Sequence, residues 1–424
     1  MKLIFVGDHV TFLPFEIFAN SKVDYVIAGA DYDFLSVNLL NHIYRGEPLE
    51  GGIYWREGDT LIKSSPKNTS ILTNGEKIHN SGDVSLRHDL DTLPFIDRDL
   101  TKWRLYAFEN GNYKYTPGTY MYSGRDCWYN RCTFCVWNHT INPMGSYRTF
   151  SPERLFAEVK HVVDRYGVKE IFDDAGTFFI GARLRRFCEL MIQSGYGKKV
   201  RYGCNMRFNA LTQHYYYLMK KAGFRFILYG MESGNQKTLD KLQKGTREID
   251  AIIGPRMAKK AGLDPHITIM LGYPWESYAD AKRTIAMAKY AFKMGYYETM
   301  QATIVIPYPG TPLYKECKEK KWLLTDDYSR FDMREPVMRI PFSKKKLLKL
   351  QQELYTAFMT PHYLIRKILS IRSIHDIAYL FYMARKLLGH LLDFDPQQTK
   401  VGWRTKLIKH FVFPKTHVWI QKQI

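Results

Sequence analysis

The chain has 424 residues, 45% hydrophobic and 25% charged, a balance that excludes a disordered or fibrous protein and allows for two or three domains. Lys and Arg outnumber Asp and Glu by 62 to 42, and the resulting net charge of +20 points toward nucleic acid, an acidic membrane surface or an anionic substrate. Six cysteines are too few for a disulfide scaffold; with no signal peptide and no run of eighteen apolar residues, the reducing cytoplasm is the expected compartment.

In chain order, "KLIFVGD" and "VDYVIAGA" read as strands and "DFLSVNLLNHIY" as a helix. "GGIYWREGDTLIKS" reads as a hairpin turning at Gly58-Asp59, and residues 64–100, polar and turn-rich, read as connecting chain. From 118 to 322 strand and helix alternate about every thirty residues. The strands are "GTYMYSG", "KEIFDDAG", "VRYGCNMRF", "FRFILYGMESG", "PHITIMLGYP" and "ETMQATIVIPYPG". Between them lie helices such as "SPERLFAEVKHVVDRYG", with Ser151 at the N-cap and Pro152 at the first helical position. Six such units predict an α/β fold, an open partial barrel of parallel strands with helices outside and the active site at the carboxyl ends of the strands. The last hundred residues change to helices that are apolar on one face and basic on the other, "SKKKLLKLQQELYTAF" and "PHYLIRKILSIRSIHDIAYLFYMARKLLGHLL", followed by a basic, aromatic tail.

Cys127, Cys132 and Cys135 are spaced C-x4-C-x2-C directly after the first barrel strand. Three thiolates can hold three irons of a [4Fe–4S] cluster and leave the fourth iron open, whereas an electron-carrying cluster takes four cysteines. The alternatives are a thioredoxin-like Cys132/Cys135 pair, a structural zinc site completed by His139, and packing.

The loop "CWYNRCTFC", with Phe134 before the last cysteine, resembles the cluster loop of radical S-adenosylmethionine (SAM) enzymes. The commonest spacing in that family has three residues between the first two cysteines; four occur typically in members fused to a cobalamin-binding domain. The resemblance covers roughly residues 1–390 and implies a partial (β/α)6 radical SAM barrel. "FDDAGTF" resembles the end of the second strand, where Asp174 rather than Asp173 is expected near the SAM amino group. "CNMRFNAL" resembles the end of the third, with Asn205 and Arg207, and "GMESGNQ" the end of the fourth, with Glu232 and Ser233 as SAM contacts. "IMLGYPWES" resembles the fifth-strand turn, with Gly272 beside the adenine; Phe134 is expected beside the cluster ligand. The competing structural roles are helix capping for Asp173 or Asp174 and N-terminal helix charge for Glu232.

The resemblance implies a [4Fe–4S] cluster held by Cys127, Cys132 and Cys135 and SAM chelated at the open iron. One electron would release methionine and a 5′-deoxyadenosyl radical that abstracts hydrogen from substrate. It also implies an external one-electron donor of ferredoxin or flavodoxin type. "IFVGDHVTFLPFEIFANSKVDYVIAGADYDFLSVNLL" resembles the second half of the cobalamin-binding domain. The chain starts after the loop that would carry a D-x-H-x-x-G histidine, so cobalamin is not expected to bind. The domains expected are 1–85, truncated cobalamin-binding-like; 86–117, linker; 118–322, radical SAM barrel; and 323–424, a basic helical region. The substrate expected is a hydrophobic or membrane-associated metabolite; the basic helices are read either as packing on the barrel with a solvated basic face or as making peripheral contact with the inner face of the membrane. A tRNA- or protein-modifying radical SAM enzyme and a non-catalytic Fe–S or zinc scaffold are the alternatives; nucleic acid ranks below the membrane because no RNA-binding module is visible.

Overall fold

The computed structural model describes residues 1–29, 31–108, 112–142, 145–357 and 360–393. In chain order its strands are β1 (Ile4–Val6), β2 (Tyr25–Ile27), β3 (Ile53–Arg56), β4 (Asn68–Ile71), β5 (Lys77–Asn80), β6 (Gly118–Met121), β7 (Gly124–Arg125), β8 (Arg148–Thr149), β9 (Glu170–Asp173), β10 (Arg201–Met206), β11 (Phe224–Glu232), β12 (Asp264–Leu271) and β13 (Thr299–Ile304). They fall into two compact units, each drawn from three stretches of chain. One contains residues 1–93, 124–149 and 307–320; the other contains 94–123, 150–306 and the chain from 321.

The first unit holds a five-stranded sheet in the order β1-β2-β3-β5-β4. β1 and β2 are parallel, as a strand–helix–strand start requires, and the remaining pairs are antiparallel. The helix Tyr32–Arg45 packs Leu35 and Leu39 against Tyr25, Ile27 and Ile53, and it ends at Gly46 with φ 72°, the left-handed cap expected after such a helix. The expected hairpin at Gly58-Asp59 is not formed: β3 pairs with β2 and β5 instead. The hairpin is β4–β5, inside the stretch read as connecting chain. It turns at Asn74-Gly75, where Gly75 takes φ 84° and donates to the Leu72 carbonyl at 2.9 Å. "NTSI" and "KIHN" lack the apolar alternation that marks a half-buried strand, and β4 is largely exposed; the Asn-Gly dipeptide was the available signal.

The second unit contains the half-barrel, a six-stranded sheet in the order β13-β12-β11-β10-β9-β6, parallel at every pairing. Parallel strands are covered on both faces, which is why their sequences are nearly continuous apolar runs. Tyr202, Ile227, Tyr229, Ile267 and Ile269 are fully buried. The helix Pro152–Tyr166 starts where the sequence places it: Ser151 Oγ accepts the Arg154 N–H at 3.1 Å, and the chain leaves at Gly167 with φ 66°. Leu155, Val159 and Val162 on this helix and Leu184, Phe187 and Met191 on the helix Gly181–Gln193 are fully buried, each contributing about 1.5–3 kcal/mol of hydrophobic burial. The expected C-terminal helices are present as Lys344–Tyr355, Pro361–Leu369 and Ile374–Asp393, while the tail from 394 lies outside the described residues. Among the described residues, no helix is long and apolar enough to cross a membrane.

Candidate functional site

In the first unit the three cysteines sit on a loop with a short antiparallel neck. β7 and β8 pair Gly124 with Thr149 and Arg125 with Arg148, closing off residues 126–147. Only glycine fits at 124, because a Cβ there would lie 2.3 Å from the Arg148 carbonyl oxygen. Two residues with positive φ, Asp126 (70°) and Asn130 (49°), turn the chain around Cys127. The Asp126 carboxylate accepts the Cys127 N–H at 2.7 Å and Asn130 Nδ2 at 2.8 Å; burial nevertheless lifts its carboxyl to about 6. Farther along, the Cys135 N–H donates to the Cys132 carbonyl at 3.2 Å and the Leu313 N–H to the Thr133 carbonyl at 3.0 Å. These bonds fix the backbone between the second and third cysteines.

The three cysteines are half-buried, and none of the six cysteines is in a disulfide. His139, the alternative zinc ligand, has Nε2 3.1 Å from the Cys132 carbonyl oxygen, and burial lowers its basicity. Among the described residues no three His, Cys, Asp or Glu side chains gather as ligands of one metal ion. A four-iron cluster makes no such demand, since each thiolate holds a different iron. Three thiols on a tied-down loop therefore fit a [4Fe–4S] cluster with Cys127, Cys132 and Cys135 as its protein ligands. Phe134 lies half-buried on the same loop.

In the second unit the expected SAM contacts lie at the carboxyl ends of four consecutive strands. Asp173 closes β9 and is fully buried; it accepts the Ser123 N–H (3.1 Å) and Oγ (3.0 Å), the Ala175 N–H (3.2 Å) and Tyr202 OH (2.8 Å). Burial pushes its carboxyl up to about 7, and all its bonds serve the fold. Asp174 accepts Asn205 Nδ2 at 3.1 Å, which links the ends of β9 and β10. The following helix begins only at Gly181, with Ile180 at its N-cap, so neither aspartate caps it.

Glu232 ends β11 at a register shift with φ 61° and accepts Lys244 Nζ at 2.7 Å. Arg207 Nη2 donates to the Lys244 carbonyl and, at 3.2 Å, to that of Gly245, so Arg207 and Glu232 converge on Lys244-Gly245. Ser233 Oγ donates to Glu276 Oε1 at 2.6 Å, and Asn235 Nδ2 donates to the same oxygen at 3.2 Å. Gly272, just past β12, has φ 96° and stands beside Leu347 and Ile304. Sequence reasoning missed Lys244 and Glu276. Lys244 carried no motif; Glu276 sits just before the N-cap Ser277, a position that reads as helix-start charge.

A parallel six-stranded half-barrel with polar side chains at its strand ends and three cysteines in the chain between its first and second strands defines a radical SAM type of domain. Residues 121–288 match the family model described as Radical SAM superfamily. The chain therefore contains a radical SAM domain over these residues, and the cofactors of that family are a [4Fe–4S] cluster and SAM. An uncharacterized methyltransferase of Pyrococcus horikoshii is 26% identical over 389 residues, 89% of this chain and 78% of that protein. The cobalamin-dependent SAM radical enzyme OxsB, solved with aqua-cobalamin and SAM bound, shares the fold over 98% of this chain and 62% of its own, with TM-score 0.64 and 14% identity. The radical SAM methyltransferase TsrM of Kitasatospora setae, solved with cobalamin and a [4Fe–4S] cluster, does so over 75% and 60%, with TM-score 0.57 and 14% identity. The chain thus spans less than two thirds of either solved protein. The expectation that cobalamin does not bind is not supported, because the protein sharing its fold over nearly its whole length is solved with cobalamin.

Proposed function

We propose that this chain is a radical SAM methyltransferase that uses a corrinoid as methyl carrier and acts on an apolar small molecule next to an anionic membrane. The observation that carries this reading is the three-cysteine loop in a chain whose fold, over 98% of its length, is that of a cobalamin-dependent radical enzyme. When bound, the reduced cluster supplies the electron that splits SAM, and the corrinoid supplies a methyl carrier. The protein's own part is positional: Asp174 with Asn205, Glu232 with Lys244, and Ser233 with Glu276 present oriented polar groups to the amino acid and ribose parts of SAM. An external ferredoxin or flavodoxin would deliver the electron; in keeping with this, Cys188, Cys204 and Cys317 are dispersed and buried, and burial raises the Cys188 and Cys204 thiols.

Anaerobic turnover of the reconstituted chain with and without hydroxocobalamin tests this reading. Methyl transfer leaves S-adenosylhomocysteine, and its formation is expected to require the corrinoid. 5′-Deoxyadenosine formed at the same rate in both arms, with no S-adenosylhomocysteine, would replace methyl transfer by plain hydrogen abstraction.

The membrane part of the proposal is supported by the helices Pro361–Leu369 and Ile374–Asp393. Ile365, Ile368, Leu369, Ile374 and Phe381 are each more than half exposed, an unusual apolar face for a soluble surface. Arg372, Arg385 and Lys386 lie on the same two helices and the turn between them, and Asp376, their one acid between 361 and 392, is paired with Lys114. Each basic residue near an anionic bilayer adds about 1 kcal/mol, and the exposed side chains add burial in the headgroup layer. Co-sedimentation with phosphatidylserine vesicles is expected, and Ile368→Glu with Phe381→Glu should weaken it about tenfold or more. Equal binding to neutral phosphatidylcholine vesicles, or displacement of the chain by tRNA, would contradict an anionic bilayer as the partner.

A further inference from the structure

The neck of the cysteine loop contains a juxtaposition that should not hold on its own. Arg125 and Arg148 stand directly opposite each other across β7 and β8, and like charges at opposed positions of an antiparallel pair push the strands apart. Both guanidinium groups are gathered on a single carboxylate, Asp31, whose side chain is fully buried. Arg148 contacts it through both terminal nitrogens, at 2.6 and 2.9 Å, and Arg125 through Nη1. His88 Nδ1 lies 2.8 Å from Asp31 Oδ2, the oxygen that Arg148 Nη1 also contacts, and Arg148 also donates to the His88 carbonyl at 3.2 Å. Phe34 stacks on the His88 ring with centroids 4.2 Å apart, and Arg125 Nη2 reaches Asp33 at 2.5 Å.

Asp31 occupies the N-cap of the helix Tyr32–Arg45, where an aspartate ordinarily accepts a backbone N–H of the first turn. Its side chain makes no such bond. The carboxylate is turned instead to partners 94 and 117 residues away. Cys127 follows Arg125 by two residues, so the position of this neck sets where the first cysteine emerges.

We infer that Asp31 is a positioning residue of the cysteine loop, holding Arg125 and Arg148 together so that the three thiols are presented as one ligand set. The N-terminal segment then acts as the anchor of the metal-binding loop. Only the role given to the loop rests on the proposed function; the closure of the neck does not.

Two readouts on the full-length chain separate these. In the cluster-free protein, iodoacetamide labelling of Cys127, Cys132 and Cys135 under native conditions is expected to be about tenfold faster in Asp31→Asn than in wild type, with Cys188, Cys204 and Cys317 unchanged. Adding Arg148→Met removes the like-charge opposition and should return labelling most of the way to the wild-type rate. Asp59→Asn, which removes a carboxylate bound to Tyr25 and Lys2 in the same unit, should leave labelling unaltered. After iron and sulfide loading, Asp31→Asn should hold less iron per chain and lose its cluster absorbance faster in air. Wild-type labelling rates in Asp31→Asn, or faster labelling of all six cysteines alike, would overturn the inference. A wild-type chain that takes up no cluster would overturn the cluster reading while leaving the labelling result in place.

Discussion

Cys132→Ser is expected to bring the formation of 5′-deoxyadenosine from SAM down to the no-enzyme background, with the fold intact. The middle cysteine is held by backbone on both sides, its carbonyl accepting the Cys135 N–H and His139 Nε2. A serine there keeps that backbone and loses only the soft sulfur donor that iron requires. The side chain is half-buried on a loop, so the substitution opens no large core cavity. Circular dichroism and urea midpoint should therefore match wild type, while the cluster absorbance and bound iron fall. Retained 5′-deoxyadenosine formation in Cys132→Ser would remove this residue from the ligand set.

The second large effect concerns stability and lies at the opposite ends of the strands. Glu170 begins β9 with 1% of its surface exposed; it accepts the Lys114 N–H at 2.6 Å, the Tyr115 N–H at 2.8 Å and Arg225 Nε at 2.5 Å. Arg225 spends its remaining nitrogens on Asp264 at 3.1 Å and the Asn112 carbonyl at 2.8 Å. Burial opposes the charge on Arg225, and Glu170 and Asp264 more than restore it. Glu170→Gln keeps the shape but turns an amide N–H₂ toward groups that are themselves donors, and it leaves a buried guanidinium without its closest counter-charge. Breaking such a pair from one side costs about 3–5 kcal/mol. Urea unfolding should show that loss as a lower midpoint with an unchanged slope. Replacing Glu170 and Arg225 together with apolar residues of similar volume should recover much of it. A single-variant loss below about 1 kcal/mol would mean that the pair contributes no more than a surface ion pair.

How much of this was legible follows from which physical signals are local. The barrel strands were visible because a parallel strand buried on both faces is written as an apolar run, as in "FRFILYGME" for β11. The helix Pro152–Tyr166 was visible from Ser151-Pro152 at one end and Gly167 at the other. β4 and β5 were not, because they are joined through backbone bonds while β4 leaves most of its side chains in water. Strand alternation was enough to separate Asp173 from Asp174 in principle, but only the structure shows Asp173 bound by Ser123, Ala175 and Tyr202. The Asp31 cluster had no local trace: its partners lie 57, 94 and 117 positions away, and the aspartate itself reads as an ordinary helix cap. The expectation about cobalamin rested on one missing histidine motif, and a fold shared with a protein solved with cobalamin does not bear it out.

The most direct measurement is of SAM cleavage by the wild-type chain. Protein loaded anaerobically with iron and sulfide to about four irons per chain would be reduced with dithionite or a ferredoxin system, mixed with SAM, and assayed for 5′-deoxyadenosine and methionine. Both products are expected, in amounts that depend on the reductant and vanish when the cluster is omitted. A fully loaded, reduced cluster that yields neither product with any of several reductants would contradict radical chemistry in this chain and leave it a metal-binding scaffold.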